Sequence, residues 1–160
     1  MYKYTFVMLV LVSNIVLAEV STNIFGGKPY YHISYAFTKD KIVYIEKIDK
    51  DRFYLDGGIF EVRVNKSEFP IDAPNCRSSI ILRMPWTEDS VSDYRKKVEK
   101  KYEVYKAISD VSSGTSESYK AVIELNPYVK KNSNGFELTE CNVFFRHYRG
   151  GVVLKEGKLQ

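Results

Sequence analysis

The sequence predicts an α+β fold: a mostly antiparallel β-sheet (meander) with one amphipathic helix packed on it, in a single domain. Three observations lead there. Apolar and polar residues alternate with period two in both halves of the chain, the pattern of a strand with one buried face. Between them, one stretch from Val91 to Tyr105 switches to three- and four-residue steps, the signature of a helix. The strands come in runs, without the strand–helix alternation that a doubly wound parallel sheet requires.

The first segment reads as an address rather than as structure. Lys3 precedes an apolar run from Phe6 to Val12, Ser13 and Asn14 interrupt it, and Ala18 stands before Glu19. A charged start, a short apolar middle and a small residue at the cut describe a secretory signal peptide over residues 1–18. A spanning helix needs about 20 mostly apolar residues, more than this segment offers. Cleavage after Ala18 leaves residues 19–160 as one β-rich globular domain, without stable membrane insertion, in the periplasm or secreted.

Glu19 to Lys28 is polar and aperiodic, with Gly26 and Gly27, and is expected to be a mobile lead-in or an irregular edge. In the next segment Tyr31, Ile33, Tyr35 and Phe37 share one face of a strand, while Tyr30, His32, Ser34 and Ala36 share the other. Ile42–Ile48 is a second strand. Phe53-Tyr54-Leu55 is read as a short third, separated by the tight turn Asp56-Gly57-Gly58 from Ile59–Val64. There Phe60, Val62 and Val64 oppose Ile59, Glu61 and Arg63. Pro70 and Pro74 make 66–75 a loop, and Ser79–Met84 a short strand.

The helix follows. Val91, Tyr94, Val98, Tyr102 and Tyr105 form its apolar stripe, with Ser90 and Asp93, or Thr87 and its acidic followers, at the first turn. Arg95, Lys96, Glu99, Lys100 and Glu103 form the opposite face, read as a solvated surface before a basic patch for an anionic partner. Ser112 to Ser116 is a flexible connector. Tyr119–Leu125 resumes the sheet, Asn126-Pro127 and Lys130–Gly135 are loop chemistry, and 136–139, 141–147 and 151–155 complete the strands.

Charge and cysteines narrow the function. The chain beyond Ala18 holds 23 basic and 20 acidic side chains, a mixed and mildly basic surface unlike the clustered excess of a nucleic-acid binder. Cys76 and Cys141 are the only cysteines, and in an oxidising compartment the default is one disulfide, with two buried thiols as the alternative. Its loop of 66 residues would contribute about 4 kcal/mol at most in the chain-entropy account.

The motifs of common chemistry are missing: no phosphate loop, no His-Glu-x-x-His, no Gly-x-Ser-x-Gly and no Cys-x-x-Cys. His32 and His147, with Glu61 or Glu140, could bind zinc or act as acid and base only if their strands met. Arg146 and Arg149 beside His147 disfavour a cation there. Asp56 and Glu61 lie at or beside a turn, where acids are usually solvating rather than a glycosidase pair. No metal and no cofactor is expected. Asn65-Lys66-Ser67 matches a glycosylation acceptor.

Aromatics are the unusual component: 11 Tyr, 8 Phe and Trp86 beyond Ala18. Tyrosine joins an apolar face to a polar tip, which suits contact surfaces. Tyr30 and His32 on the outer side of their strand, and Arg146 and Tyr148 near the other end, are the candidate binding residues. The expected function is an exported, non-enzymatic binding protein acting through a protein–protein surface on another exported or envelope protein, of the immunity or inhibitor kind. A carbohydrate- or small-ligand module using Trp86, Tyr30 or Tyr128 is the alternative, and a hydrolase with a site at His32 or His147 the third.

Overall fold

The computed structural model describes residues 20–25, 27–84, 91–144 and 150–154. The segment 1–18, the N-terminal cap at Thr87 or Ser90, and Trp86, Arg146, His147 and Tyr148 lie outside these residues. Within them the chain is mixed α+β, mostly antiparallel, with one main helix, as the sequence predicts.

Two four-stranded sheets share the work. The first has strand order β1 (Ser21–Phe25), β2 (Lys28–Thr38), β6 (Ser116–Glu124), β10 (Gly150–Leu154), all antiparallel. The second runs β3 (Ile42–Ile45), β4 (Glu61–Asn65), β5 (Ser79–Arg83), β9 (Asn142–Phe144), antiparallel except for the parallel β5–β9 pair. The meander is β3-β4-β5. It does not extend back into β2, because the chain leaves the first sheet at Thr38 and enters the second at Ile42. A two-stranded hairpin, β7 (Val129–Asn132) and β8 (Gly135–Leu138), stands beside them.

Alternation explains which faces meet. In β2 Ile33, Tyr35 and Phe37 are buried, and in β6 Tyr119, Ala121 and Ile123. Val62, Val64, Ile80, Leu82 and Val143 form the buried face of the second sheet. These side chains join one core, so both sheets bury their apolar faces in the same interior. The main helix, α2 (Val91–Ser113), lies on it through Val98, Val104, Tyr105, Ile108 and Val111. It ends where Gly114 takes φ +83°. The Gly114 amide then reaches the Val111 carbonyl (3.0 Å) and the Thr115 amide that of Asp110 (2.8 Å), a Schellman stop that glycine makes cheap. The expected connector 112–116 therefore shrinks to Gly114 and Thr115.

Three further expectations are corrected. Phe53-Tyr54-Leu55 is helical, within α1 (Lys50–Leu55). Asp49 caps it, its Oδ1 accepting from the Arg52 amide at 2.9 Å, and a three-residue apolar run carries no period to separate strand from helix. In a strand Phe53 and Leu55 would face the same way. In the helix Phe53 is buried while Leu55 is 83% exposed. Gly57 and Gly58, at φ +70° and +74°, end that helix instead of turning a hairpin. A Cβ on Gly58 would lie 2.8 Å from Cδ of the buried Lys101. Second, Lys130–Gly135 is not all loop, since β7 takes up Lys130 to Asn132 and only Ser133-Asn134 turns. Third, the lead-in before Lys28 is an edge, as one of its two expectations has it, but a regular one: it contains β1, paired with β2 without a register shift at the margin of the first sheet.

Aromatic packing and tyrosine hydroxyls hold the helix to α1 and to the chain on either side of it, at Ile48 and Phe60. Phe53 packs on Tyr102 (5.2 Å between ring centres) and Tyr105 (5.3 Å), and Phe60 on Tyr105 (5.3 Å). The Tyr105 hydroxyl accepts from the Ile48 amide at 3.0 Å and donates to the Ile48 carbonyl at 3.3 Å, while the Tyr94 hydroxyl donates to the Tyr54 carbonyl at 2.7 Å. Several of the tyrosines thus serve the interior, with apolar rings inside and polar tips closing backbone bonds.

Candidate interaction surface

Two arginines and one carboxylate organise the outer face of the second sheet. The β4–β5 register sets Glu61 opposite Arg83, and β3–β4 sets Tyr44 opposite Arg63. Strand neighbours directly opposite share a face. Arg63 Nε donates to Glu61 Oε1 at 2.7 Å. Arg83 donates to Glu61 Oε2 twice, from Nε at 3.0 Å and Nη2 at 2.7 Å. The Arg63 guanidinium also lies over the Tyr44 ring, 5.3 Å from its centre, a cation–π contact.

The electrostatics follow from this clamp. Partial burial by itself would raise the Glu61 carboxyl. Hydrogen bonds from Arg63 and Arg83, together with their charges, outweigh it and hold its pKa below the ordinary carboxylate value. Glu61 is 13% exposed, its partners 47% and 42%. The carboxylate is therefore a fixed anchor that sets the orientation of two partly exposed guanidiniums, each with N–H groups beyond those it gives to Glu61.

Apolar side chains border this cluster. Val43 (61%), Tyr44 (47%) and Ile59 (39%) are exposed. Val43 sits where the β3–β4 register shifts, a bulge on an edge strand, and Ile59 shares the outward parity of Glu61 and Arg63. Exposed Tyr and Arg beside aliphatic groups form the composition found at the centre of protein–protein contacts.

The residues expected from sequence distribute differently. Tyr30 and His32 do share the outer side of β2, their rings 6.3 Å apart and tilted by 45°. Both are half-buried, and His32 Nδ1 is shielded without a hydrogen bond among the described residues. Cross-strand partners put Glu124 and Ser21 beside His32. Glu61 is on the other sheet and bound by arginines, so His32 and Glu61 do not form a site. Asp56 is likewise held by a guanidinium, Arg52 at 3.3 Å. Tyr128, half-buried, packs on Phe144 at 6.1 Å. Among the described residues no three His, Cys, Asp or Glu side chains converge as metal ligands.

Cys76 and Cys141 are bonded, with Cα atoms 5.5 Å apart, inside the usual span. The bridge joins the segment entering β5 to the segment entering β9. The Ile81 amide also donates to the Cys141 carbonyl at 2.8 Å, so bridge and sheet reinforce one another. No helix among the described residues is long and apolar enough to cross a membrane.

The charged face of α2 has another character. Arg95, Lys96, Glu99, Lys100, Glu103 and Lys106 are all exposed. At 100° per residue, Glu99 and Glu103 fall between the Arg95–Lys106 and Lys96–Lys100 stripes. An acidic centre flanked by cations is a mixed, solvated face rather than a basic patch. No protein-family model matches the chain, and neither the curated proteins nor the solved structures contain a match.

Proposed function

We propose that this chain is an exported, non-enzymatic binding protein that acts through a protein–protein surface, of the immunity or inhibitor kind. Its partner is another exported or envelope protein. The observation that carries the reading is the outer face of the second sheet. There Tyr44, Arg63 and Arg83 are oriented around Glu61 and bordered by exposed Val43 and Ile59. Pre-set guanidiniums and a stacked tyrosine lose little side-chain freedom on binding, which suits recognition. Tyr30 and His32 on the outer side of β2 are a second candidate contact under the same proposal, while Arg146 and Tyr148, the other two residues expected from sequence, lie outside the described residues. Export is supported by the Cys76–Cys141 bond, since disulfides persist in oxidising compartments, and by the signal-like segment 1–18.

The test is a pull-down from the native envelope fraction with three baits: the wild type, Tyr44→Ala/Arg63→Ala, and Lys96→Ala/Lys100→Ala. The reading expects one specific protein on the wild type and the α2 variant, and its loss from the sheet variant. Equal recovery on all three baits removes the surface. Recovery of no protein together with retention on a glycan array transfers the function to the carbohydrate reading.

A further inference from the structure

A groove of about 490 Å³ opens where β4 runs into the irregular chain before β5, within the roughly 300–1,000 Å³ typical of small-molecule sites. Phe69 and Ile71, both nearly buried, and Pro70 supply its apolar surface. Lys66 and Arg77 supply two cations and Asp72 one carboxylate, so the charge on the lining is positive.

The groove is built rather than incidental, because its irregular wall is held at several points. The Leu138 amide donates to the Asp72 carbonyl at 2.7 Å, and the Lys66 amide to the Ser78 carbonyl at 2.9 Å. The disulfide fastens Cys76 to Cys141. Lys66 Nζ donates to the Cys76 carbonyl at 2.8 Å, which fixes the ammonium and leaves two of its three donors for another acceptor. Arg77 is exposed, and its guanidinium makes no hydrogen bond or ion pair among the described residues. A surface segment with little regular structure beyond the 3-10 turn Lys66–Glu68 and a single bridge from Asp72 to Glu137, yet stapled from both sides, is where folds commonly carry binding groups.

We propose that this groove binds a small ligand with a carboxylate head group and an apolar body. The head group takes Lys66 and Arg77, and the body lies on half-buried Pro70 and the small exposed edges of Phe69 and Ile71. Arginine and lysine both donate charge-assisted hydrogen bonds to a carboxylate, and the apolar surface rewards a ligand larger than a bare ion. Asp72 opposes the head group and limits affinity.

Titration of the full chain with N-acetylleucine, followed by amide shifts in NMR, tests this. N-acetylleucinamide and inorganic phosphate are the two controls. Shifts confined to 65–78, with both controls binding at least about tenfold more weakly, are expected. Arg77→Ala should weaken N-acetylleucine about tenfold, as loss of one charge-assisted bond implies, with an unchanged melting temperature. Asp72→Asn should tighten it two- to fivefold by like-charge relief. Equal binding of acid and amide, phosphate as tight as the acid, shifts centred elsewhere, or an Arg77→Ala variant that binds normally would each overturn the assignment.

Discussion

The stapled side of the molecule and the helical side are ordered by different means, and the contrast shows where charge carries information. On the helical side, α2 is held by apolar and aromatic packing through Val98, Tyr105 and Ile108. Its face of Arg95, Lys96, Glu99, Lys100, Glu103 and Lys106 is exposed to solvent. On the stapled side, residues 66–78 cannot form a regular ladder, and the disulfide with several polar clamps fixes them instead. Nearby, Glu61 fixes two arginines. Counting lysines and arginines favours α2 as the charged surface. Asking which cations have a set direction favours the second sheet.

The largest break in that contrast comes from the bridge. Replacing both cysteines with alanine should destabilise the chain by about 2–4 kcal/mol, measured by urea unfolding. Hydrogen exchange at low denaturant should rise first around 66–78 and 138–144, with α2 still protected. Equal loss of protection along α2 would mean the two sides are not separately ordered.

Gly58→Ala comes next, because φ +74° and the 2.8 Å approach to Lys101 both oppose a side chain. A loss of about 1–2 kcal/mol is expected, concentrated where α1 leaves the helix side. A variant as stable as the wild type would show that Lys101 moves aside freely.

Arg63→Ala/Arg83→Ala should lower stability by only about 1 kcal/mol, since both guanidiniums are substantially solvated. The pH dependence is more telling. Because the folded pKa of Glu61 is depressed, its stabilisation is complete above the unfolded value near 4.3. It is lost as pH falls through the lower folded value. Unfolding at pH 5.5 and pH 3 should show a smaller acid-side loss in Glu61→Gln than in the wild type. An identical loss would mean the clamp does not hold the carboxylate. Smallest of all, Lys96→Ala/Lys100→Ala should stay within about 0.5 kcal/mol of the wild type.

What the sequence reveals follows the range of the interaction. Period-two alternation in β2 and β6 and the Val98–Tyr105 stripe are local and legible, as is the pairing of a cysteine that has a single possible partner. Phe53–Leu55 was not, because the Asp49 cap and the two positive-φ glycines decide it more than its own residues do. The parity that sets Glu61 and Arg63 opposite Val62 was visible in sequence. That Arg83 arrives on the same carboxylate was not, since it depends on the β4–β5 register across 22 residues of chain. Tyr44 was hidden for a related reason: the register shift after Ile42 alters which side chains of β3 face out.

The most direct measurement of the proposed surface is hydrogen–deuterium exchange of the wild-type protein alone and with whichever protein the wild-type bait retains from the envelope fraction. The account predicts new protection in β3 and β4, around Val43–Ile45 and Glu61–Asn65, and none along the exposed face of α2. Protection confined to α2, with β3 and β4 unchanged, would contradict it.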